Sequence, residues 1–245
     1  MSARNWLIAI LTSGFALTTA IPAQAAVIWD GDASRGTGVF EDIAKGECEA
    51  PGSVTAVDDA THGKVWRFHK PAGDRRCESR GIRVGGGKYT FRNNTTVYLG
   101  WRSKLSSTVN NNAIFQWKSY ASHIQNFPVV LKVINGRISM LQRQPGPSEK
   151  IIWSQPITAN SWNHYVIGLG LSSATRGGWV ELWFNGVRQS FTDGTQRYAC
   201  RTFDSQNDPK WGIYGASGTT VTNYVDGLKV GTGYADVAAT AGSRQ

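Results

Sequence analysis

Apolar and polar residues alternate along most of the chain in short runs, without a long helical pattern. The runs VVLKVI and RISMLQ are joined by Asn135-Gly136, and a second pair of runs is joined by Asn185-Gly186. Asn-Gly between alternating runs is the strongest short-range signal for a β-hairpin. Many short strands separated by turn signals predict an all-β fold, an antiparallel β-sandwich of the jelly-roll type. Further strands are predicted at KVWRFH, ESRGIRV, TTVYLGWRSK, AIFQWKS, WNHYVIGLGL, WGIYGA and TNYVDGLKVG.

The amino-terminal segment departs from this pattern. It carries one cation, Arg4, then an apolar run over residues 6–20, and ends in Ala23-Gln24-Ala25. This arrangement is typical of a secretory signal peptide with a small-x-small cleavage site. A membrane anchor is the alternative, but hydroxyl side chains interrupt the run, which is short for a span of roughly 20 residues. We therefore expect residues 1–25 to be removed and residues 26–245 to form one secreted domain, extracellular or periplasmic.

Three of the predicted strands each carry a polar face. In AIFQWKS, Gln116 and Lys118 point one way and the aromatic residues point the other, because side chains alternate across a strand. For a single strand, a solvated outer face is the ordinary explanation. Three such faces, with a glycine that lets another chain approach the sheet, predict a concave substrate groove. The other two faces consist of Arg76, Glu78 and Arg80, and of Lys210, Gly212 and Tyr214.

The charge of the chain suggests what this groove would bind. Lysines and arginines number 26 against 17 acidic residues, for a formal net charge of +9. An exported basic protein is expected to meet a polyanion, although charge that serves only solubility is the alternative. The sequence lacks a Lys/Arg-dense helix, a zinc motif or another nucleic-acid-binding pattern. We therefore expect an acidic polysaccharide as partner, neither nucleic acid nor a membrane, and a monomer.

The three polar strands also carry a family resemblance. Arg-x-Glu-x-Arg at 76–80, Gln-x-basic at 116–118 and Lys-x-Gly-x-Tyr at 210–214 resemble, in that order, the strand motifs of jelly-roll polysaccharide lyases such as the alginate lyases of family 7. The longer segments FQWKSYASHIQNFPVVLKVINGR and NDPKWGIYGA are more similar to the endo-β-1,4-glucuronan lyases of polysaccharide lyase family 20. Alginate lyases usually have a histidine where this chain has Lys118, so the resemblance implies polyglucuronate rather than alginate as substrate.

A uronate lyase must remove the proton at C5 of a sugar ring and expel the oxygen at C4. The proton is acidic only when the neighbouring carboxylate is neutralised, a task suited to Gln116 with Arg80 or Lys118. In glucuronate the C5 proton and O4 lie on one face of the ring, so Tyr214 can act as base and then as acid, with nearby cations stabilising its phenolate. Further candidates for substrate binding are Arg76, Glu78, Lys210, His69 and His123, and either histidine is an alternative base.

Cysteine and carboxylate positions add two expectations. Three cysteines in an exported chain predict one disulfide and one free thiol. Cys48 with Cys77 closes the shortest loop, beside the loop-like GECEAPGS, and is the expected pair.

No cofactor is expected for catalysis. Asp226, with Asp30 or Asp32, resembles the structural calcium sites of related sandwiches, although carboxylates also simply solvate strand ends.

These observations predict an endo-acting polysaccharide lyase that cleaves β-1,4-linked polyglucuronate by β-elimination and yields unsaturated oligouronides. A lyase of alginate or another polyuronate is one alternative. A non-catalytic, lectin-like carbohydrate-binding module on the same fold is another, and Tyr214 discriminates it, because a lectin needs only a stacking aromatic there. A sandwich hydrolase would need two carboxylates about 5 to 10 Å apart, and the predicted groove face offers only Glu78.

Overall fold

A computed structural model describes residues 26–43, 48–120 and 125–238. Its strands form two antiparallel sheets packed against each other, which confirms the predicted all-β jelly-roll sandwich. The signal peptide predicted for residues 1–25 lies outside the described residues. In the described part of the chain, no helix has the length and apolarity needed to cross a membrane.

We call the two sheets the back sheet and the front sheet. In spatial order, the back sheet contains β14 (Val187–Arg188), β13 (Gly178–Phe184), β12 (Trp162–Gly170), β7 (Thr96–Leu105), β17 (Val221–Gly231), β4 (Gly63–Lys70) and β3 (Ser53–Asp59), with β1 (Val27–Asp30) on β17 and β15 (Tyr198–Cys200) on β13. The front sheet contains β11 (Glu149–Pro156), β10 (Arg137–Arg143), β9 (Val129–Ile134), β8 (Asn112–Ser119), β16 (Asn207–Gly215), β5 (Arg76–Val84) and β2 (Phe40–Ile43), with β6 (Gly87–Lys88) on β5. Helical turns occur at Ala33–Arg35, Thr37–Val39 and α1 (Tyr234–Val237).

Both predicted Asn-Gly hairpins are present. Asn135 and Gly136 join β9 to β10 with φ values of 51° and 73°, and Asn185 and Gly186 join β13 to β14 with φ values of 50° and 80°. A two-residue turn with positive φ at both positions has the twist that antiparallel strands require. Asparagine and glycine tolerate this backbone conformation best, which is why the dipeptide marks these turns so clearly.

Aromatic side chains fill the space between the sheets. Trp101 of β7 stacks on Phe115 of β8 with ring centroids 4.9 Å apart, and Trp211 of β16 packs edge-on against Trp101 at 6.3 Å. Full burial of a large apolar side chain stabilises a fold by roughly 1.5–3 kcal/mol. Because Phe115, Trp117 and Trp211 are buried in this core, their polar neighbours in sequence are directed to the outer face of the front sheet.

The cysteines pair as expected. Cys48 and Cys77 form a disulfide, with their Cα atoms 4.6 Å apart. The bond connects the segment before β3 to the beginning of β5, the strand that carries Arg76, Glu78 and Arg80. Cys200 is free and buried, and burial raises the pKa of its thiol to about 12.

Candidate functional site

The three strands with polar faces are neighbours at the centre of the front sheet. Strand β16 lies between β8 and β5, with Lys210 opposite Gln116 and Tyr214 opposite Arg76. Side chains of directly opposed residues share one face of a sheet. The structure therefore brings the predicted polar residues of all three strands together on one surface.

Glu78 contacts polar residues from all three strands of this surface. Its carboxylate is 1% exposed and accepts hydrogen bonds of 2.6 Å from the Gln116 amide and 2.6 Å from the Lys210 ammonium. The Arg76 guanidinium lies 4.0 Å from the same carboxylate. Lys210 is itself only 5% exposed, so the two charges form a buried ion pair. A buried pair of this kind holds its members in one geometry, because separating them would leave an uncompensated charge.

Gly212 allows the strands around Glu78 to meet. It has a φ of +139°, and a Cβ atom there would lie 2.3 Å from the Cys77 carbonyl oxygen and 2.6 Å from the Cα of Glu78. We expected this glycine to let a substrate chain approach the sheet. The structure shows a different reason for glycine at this position, the close approach of β5 to β16.

The orientation of the Gln116 amide follows from its partner. An ionised carboxylate only accepts hydrogen bonds, so the amide nitrogen of Gln116 must face Glu78. Gln116 also lines a cleft on the outer face of the sheet. Its second N–H and its carbonyl oxygen are the groups with which it can meet a ligand in that cleft.

Tyr214 is half-buried beside this group and contacts two arginines. Its hydroxyl oxygen accepts a hydrogen bond of 2.9 Å from Arg75, and the Arg76 guanidinium carbon lies 4.5 Å from the ring centroid. A guanidinium that donates to a phenol oxygen stabilises negative charge on that oxygen. Arg75 directly precedes β5 and lies outside the alternating motif, so the sequence pattern does not identify it.

Protein oxygens accept all three N–H bonds of the Lys118 ammonium. Its ammonium donates to the carbonyl oxygens of Ser119 and Asn126, both at 3.1 Å, and to the side-chain oxygen of Asn126. An ammonium has three N–H bonds, and these acceptors account for all of them. Burial, with Lys210 and Arg76 nearby, lowers the pKa of Lys118 to about 8. Its predicted role in holding a substrate carboxylate would therefore be electrostatic or require exchange of a partner.

A second group of side chains surrounds Tyr120, a residue that was not among the predicted site residues. The Arg80 guanidinium carbon lies 4.0 Å from the Tyr120 ring centroid, and the Lys118 ammonium lies 5.3 Å from it. Arg80 also lies 3.6 Å from the carboxylate of Asp208. Burial raises the pKa of Tyr120, so this phenol remains protonated. Continuing the alternation by one step from Lys118 would have identified Tyr120.

A cleft of about 280 Å³ lies on this face of the front sheet. It has Tyr214 and Gln116 at one side and apolar side chains from β8, β9 and β10 along its wall. The lining consists of Arg75, Asn111, Ala113, Gln116, Phe127, Val130, Lys132, Leu141, Glu149, Tyr214, Gly215 and Ser217. A cleft with an apolar wall and a few convergent polar groups is the usual form of a ligand site.

The described histidines lie on the back sheet or, for His62, in the turn between its strands β3 and β4. His69 is on β4, where its Nδ1 lies 2.9 Å from the Thr222 hydroxyl, and burial lowers its pKa. His164 is on β12, and burial lowers its pKa to about 4. His62 packs on Trp162 with ring centroids 4.4 Å apart. The expectation that His69 belongs to the groove is wrong, because its strand is in the back sheet; His123 lies outside the described residues.

The two candidate calcium ligands are engaged by protein groups. Asp32 accepts hydrogen bonds from the backbone and side chain of Ser34, and Asp226 pairs with Arg102 at 3.0 Å. Within residues 26–43, 48–120 and 125–238, no three His, Cys, Asp or Glu side chains form a metal-binding group. Since calcium takes six to eight oxygen ligands, these carboxylates fit it poorly, and calcium stays an untested prediction.

Comparison with known proteins identifies the family of this chain and the likeness of its fold. A model of the family described as polysaccharide lyase matches residues 37–229. The alginate lyase AlgAT5 from polysaccharide lyase family 7 superposes with a TM-score of 0.53 at 12% identity, covering 72% of this chain and 81% of that one. The cellulose induced protein Cip1 superposes with a TM-score of 0.55 at 12% identity, covering 77% and 89%. At such identities the likeness shows the fold alone. No curated protein matches the sequence significantly.

Proposed function

The chain belongs to the polysaccharide lyase family, and from that premise we propose that it is a secreted, endo-acting lyase of β-1,4-linked polyglucuronate. The reaction is a β-elimination. The C5–H and C4–O4 bonds break, a C4=C5 double bond forms, and the proton taken from C5 is returned to the leaving O4. The products are unsaturated oligouronides.

The observation that carries this proposal is the hydrogen bond from Arg75 to the Tyr214 hydroxyl, beside Gln116 in one cleft. A phenolate supported by a guanidinium can remove the C5 proton, and the resulting phenol can protonate O4. The outward N–H of Gln116 can meet the substrate carboxylate, where negative charge increases as the proton leaves. Lys210 and Arg76 add positive charge to the floor of the site.

The preference for glucuronate over guluronate rests on the use of a single proton-transfer group. In glucuronate the proton and the leaving oxygen lie on one face of the ring, so one tyrosine is sufficient. In guluronate they lie on opposite faces, and a second group is required. Lys118 occupies the place of the usual alginate-lyase histidine, and the three described histidines belong to the back sheet or its hairpin.

Alginate is the second candidate substrate, because the solved family 7 structures with the same fold are alginate lyases. A panel of polyglucuronate, polymannuronate and polyguluronate, with ultraviolet absorbance of the unsaturated product as readout, tests the two. We expect the fastest release from polyglucuronate. Faster release of unsaturated product from polymannuronate or polyguluronate would contradict polyglucuronate as the substrate. Binding of polyuronate without any unsaturated product would instead indicate a lectin-like module.

We also propose that the enzyme is exported and acts as a monomer without a cofactor. The predicted signal peptide and the Cys48–Cys77 disulfide support export, since disulfides persist in oxidising compartments. Mass spectrometry of the secreted chain would test cleavage after Ala25, and light scattering would test the monomer.

A further inference from the structure

Lys70 is a buried cation that the proposed reaction does not use. It ends strand β4 of the back sheet and is 0% exposed. Its ammonium donates hydrogen bonds to four backbone carbonyl oxygens, at 2.8 Å to Thr219, 3.2 Å to Pro71, 3.2 Å to Ala216 and 3.3 Å to Asp74. An ammonium has three N–H bonds, so at least one of them is shared between two of these oxygens. Burying a cation is costly unless its donors are engaged, and the four oxygens satisfy this requirement.

The four carbonyl oxygens belong to two loops that cross between the sheets. Residues 71–75 connect β4 to β5, and residues 216–220 connect β16 to β17. We call them the Arg75 loop and the Tyr214 loop, because the first ends in Arg75 and the second begins two residues after Tyr214. Lys70 therefore joins the two segments that carry the hydrogen-bonded pair of the candidate site, in which Arg75 donates to the Tyr214 hydroxyl at 2.9 Å.

Backbone hydrogen bonds set the same two loops side by side. The Gly73 N–H donates to the Ser217 carbonyl oxygen at 2.7 Å, and the Gly215 N–H donates to the Arg75 carbonyl oxygen at 2.9 Å. Ala216 has a φ of 47°, a left-handed conformation that residues other than glycine rarely adopt. Such a conformation persists only where its surroundings hold it, and the Ala216 carbonyl oxygen is one of the four acceptors of the ammonium.

Apolar packing contributes little to the position of these loops. Ala72, Gly73, Ser217 and Gly218 are exposed, and exposed loops with few buried contacts are usually mobile. The positions of both loops therefore depend on the hydrogen bonds between them and on the ammonium that they share. If the ammonium is removed, water can hydrate the freed carbonyl oxygens as the loops separate, so the sandwich itself can remain folded.

We propose that Lys70 is a positioning residue for the elimination. By binding both loops, its ammonium fixes the Arg75 guanidinium against the Tyr214 hydroxyl and so places the oxygen that exchanges the proton. Lys70 acts through these two residues and, being fully buried, does not touch the substrate. The inference rests on the proposed lyase function. A misplacement of about 1 Å at the reacting groups can reduce the rate by a factor of about 10².

Lys70→Met tests the inference, because methionine is unbranched and of similar length but cannot donate hydrogen bonds. The control is Lys64→Met on the same strand, where the lysine is 49% exposed and pairs with Asp58 at the surface. Ultraviolet absorbance gives kcat and KM on whichever polyuronate the wild type cleaves fastest, and circular dichroism verifies folding. In Lys70→Met we expect kcat to fall at least about tenfold and KM to stay within about twofold, because Gln116 and Lys210 keep their places. Lys64→Met should leave both unchanged.

A double-mutant cycle separates positioning from general stabilisation. Arg75→Gln alone is expected to lower kcat about tenfold. If Lys70 acts through Arg75, adding Arg75→Gln to Lys70→Met should lower kcat by less than about threefold, because the guanidinium has already lost its place. A residue that only stabilises the fold would leave the full factor in both backgrounds. Where Lys70→Met does not fold, Lys70→Gln replaces it, since its amide retains N–H donors but is too short to reach both loops.

Three results would overturn this role of Lys70 while leaving the lyase function intact. One is a kcat of the Lys70 variant equal to that of the wild type. The second is the full loss from Arg75→Gln in the background of that variant. The third is failure of both Lys70→Met and Lys70→Gln to fold, which would assign the lysine to the stability of the whole sandwich. If the folded wild type releases no unsaturated product from any polyuronate, the lyase function itself fails and the role of Lys70 with it, so the two failures are distinguishable.

Discussion

The outer faces of the two sheets carry similar groups with opposite electrostatic arrangements. On the front sheet, the Tyr214 hydroxyl accepts a hydrogen bond from Arg75, near the buried Glu78. On the back sheet, the Tyr98 hydroxyl lies 3.5 Å from the carboxylate of the buried Glu181, and it must donate. Burial first, and then Glu181, raises the pKa of Tyr98. The Tyr214 oxygen therefore faces a cation, whereas the Tyr98 hydroxyl faces an anion and keeps its proton.

The two faces also differ in access. On the back sheet, Trp179 lies directly over Gly168 and Gly170, so that a Cβ atom at Gly170 would be 2.1 Å from the indole nitrogen. The Arg197 guanidinium carbon lies 4.1 Å from the Trp179 ring centroid. On the front sheet, Tyr214 borders an open cleft. Glutamate, arginine and aromatic residues in alternation therefore do not define a site unless packing leaves space beside them.

The largest expected difference between the two sheets is in stability, when the buried glutamates Glu78 and Glu181 are each replaced by glutamine. Glu78→Gln would leave the Lys210 ammonium buried without a counter-charge, and we expect a loss of about 3–5 kcal/mol in the free energy of unfolding. Glu181→Gln should cost about 1 kcal/mol or less, because Arg188 and Arg197 are 39% and 55% exposed and can be hydrated. Urea unfolding of both variants measures the difference. Equal losses would contradict the distinction.

The two tyrosines should differ in catalysis. Tyr214→Phe retains the ring but removes the transferable proton, so we expect kcat to fall by a factor of about 10² or more while polyglucuronate still binds. Tyr98→Phe is the matched control and should leave kcat within about twofold. Initial rates by ultraviolet absorbance and affinity by calorimetry provide the readouts. Activity retained in Tyr214→Phe would point to another base, with His123 the first to test.

Arg75 should affect the rate of turnover. Its guanidinium donates to the Tyr214 hydroxyl and holds in place the oxygen that exchanges the proton, so in Arg75→Gln we expect kcat to fall about tenfold with little change in KM. Arg75→Lys should restore part of kcat, since it keeps the charge. Arg197→Gln on the back sheet should leave kcat unchanged. Initial rates by ultraviolet absorbance measure these effects, and a kcat for Arg75→Gln equal to that of the wild type would contradict the role given to Arg75.

The charge of Lys118 should have the smallest effect on activity, a change in kcat/KM at alkaline pH. With a pKa of about 8, it is charged below that pH and neutral above it. If its charge attracts substrate, kcat/KM should decrease a few-fold as pH rises through about 8, and Lys118→Arg should move the decrease to higher pH. Lys104→Arg on the back sheet is the control. If the pH profile of kcat/KM is the same in Lys118→Arg as in the wild type, Lys118 serves only to hydrogen-bond Asn126.

Lys118 also affects the free energy of unfolding. This effect increases with pH, whereas the effect on kcat/KM decreases with pH. Its pKa is lowered in the folded state, so between about pH 8 and 10.5 the unfolded chain binds more protons at this residue. The free energy of unfolding should therefore increase over this window, and the increase should be absent in Lys118→Met. Urea unfolding at several pH values measures this contribution separately from activity.

Most strands could be predicted from sequence, and those that were not identified share a physical reason. The strands that were not identified are β1, β2, β3, β6, β11 and β15. β2, β3 and β11 are the last strands of their sheets in the spatial order, and β1, β6 and β15 each pair with a single neighbour. A strand at a sheet edge buries few side chains, so its residues are not required to alternate. β3, for example, has no residue in the buried class. Central strands such as β7 are confined on both sides and show the alternation plainly.

The candidate site was predicted in part for the same reason. Glu78, Gln116, Lys210 and Tyr214 were identified because they lie on central strands and alternate with buried neighbours, and this period of two is a local property of the chain. Arg75 lies just outside β5 and reaches Tyr214 across 139 residues of sequence, a contact that no local pattern encodes. His69 shows the converse, since a residue near the motifs in sequence belongs to the opposite sheet.

By itself, the sequence determined most strands, both hairpins and the polar face of each motif, because alternation and Asn-Gly turns act within a few residues. Only the tertiary structure decided how these faces combine. Irregularities between Ala113 and Phe115 in β8 and between Trp211 and Tyr214 in β16 shift the register there. They turn Ala113 towards the cleft and place it opposite Tyr214, although strict alternation would have put Ala113 in the core with Phe115. A bulge depends on how two strands fit together, and it therefore becomes visible only when both strands are in place.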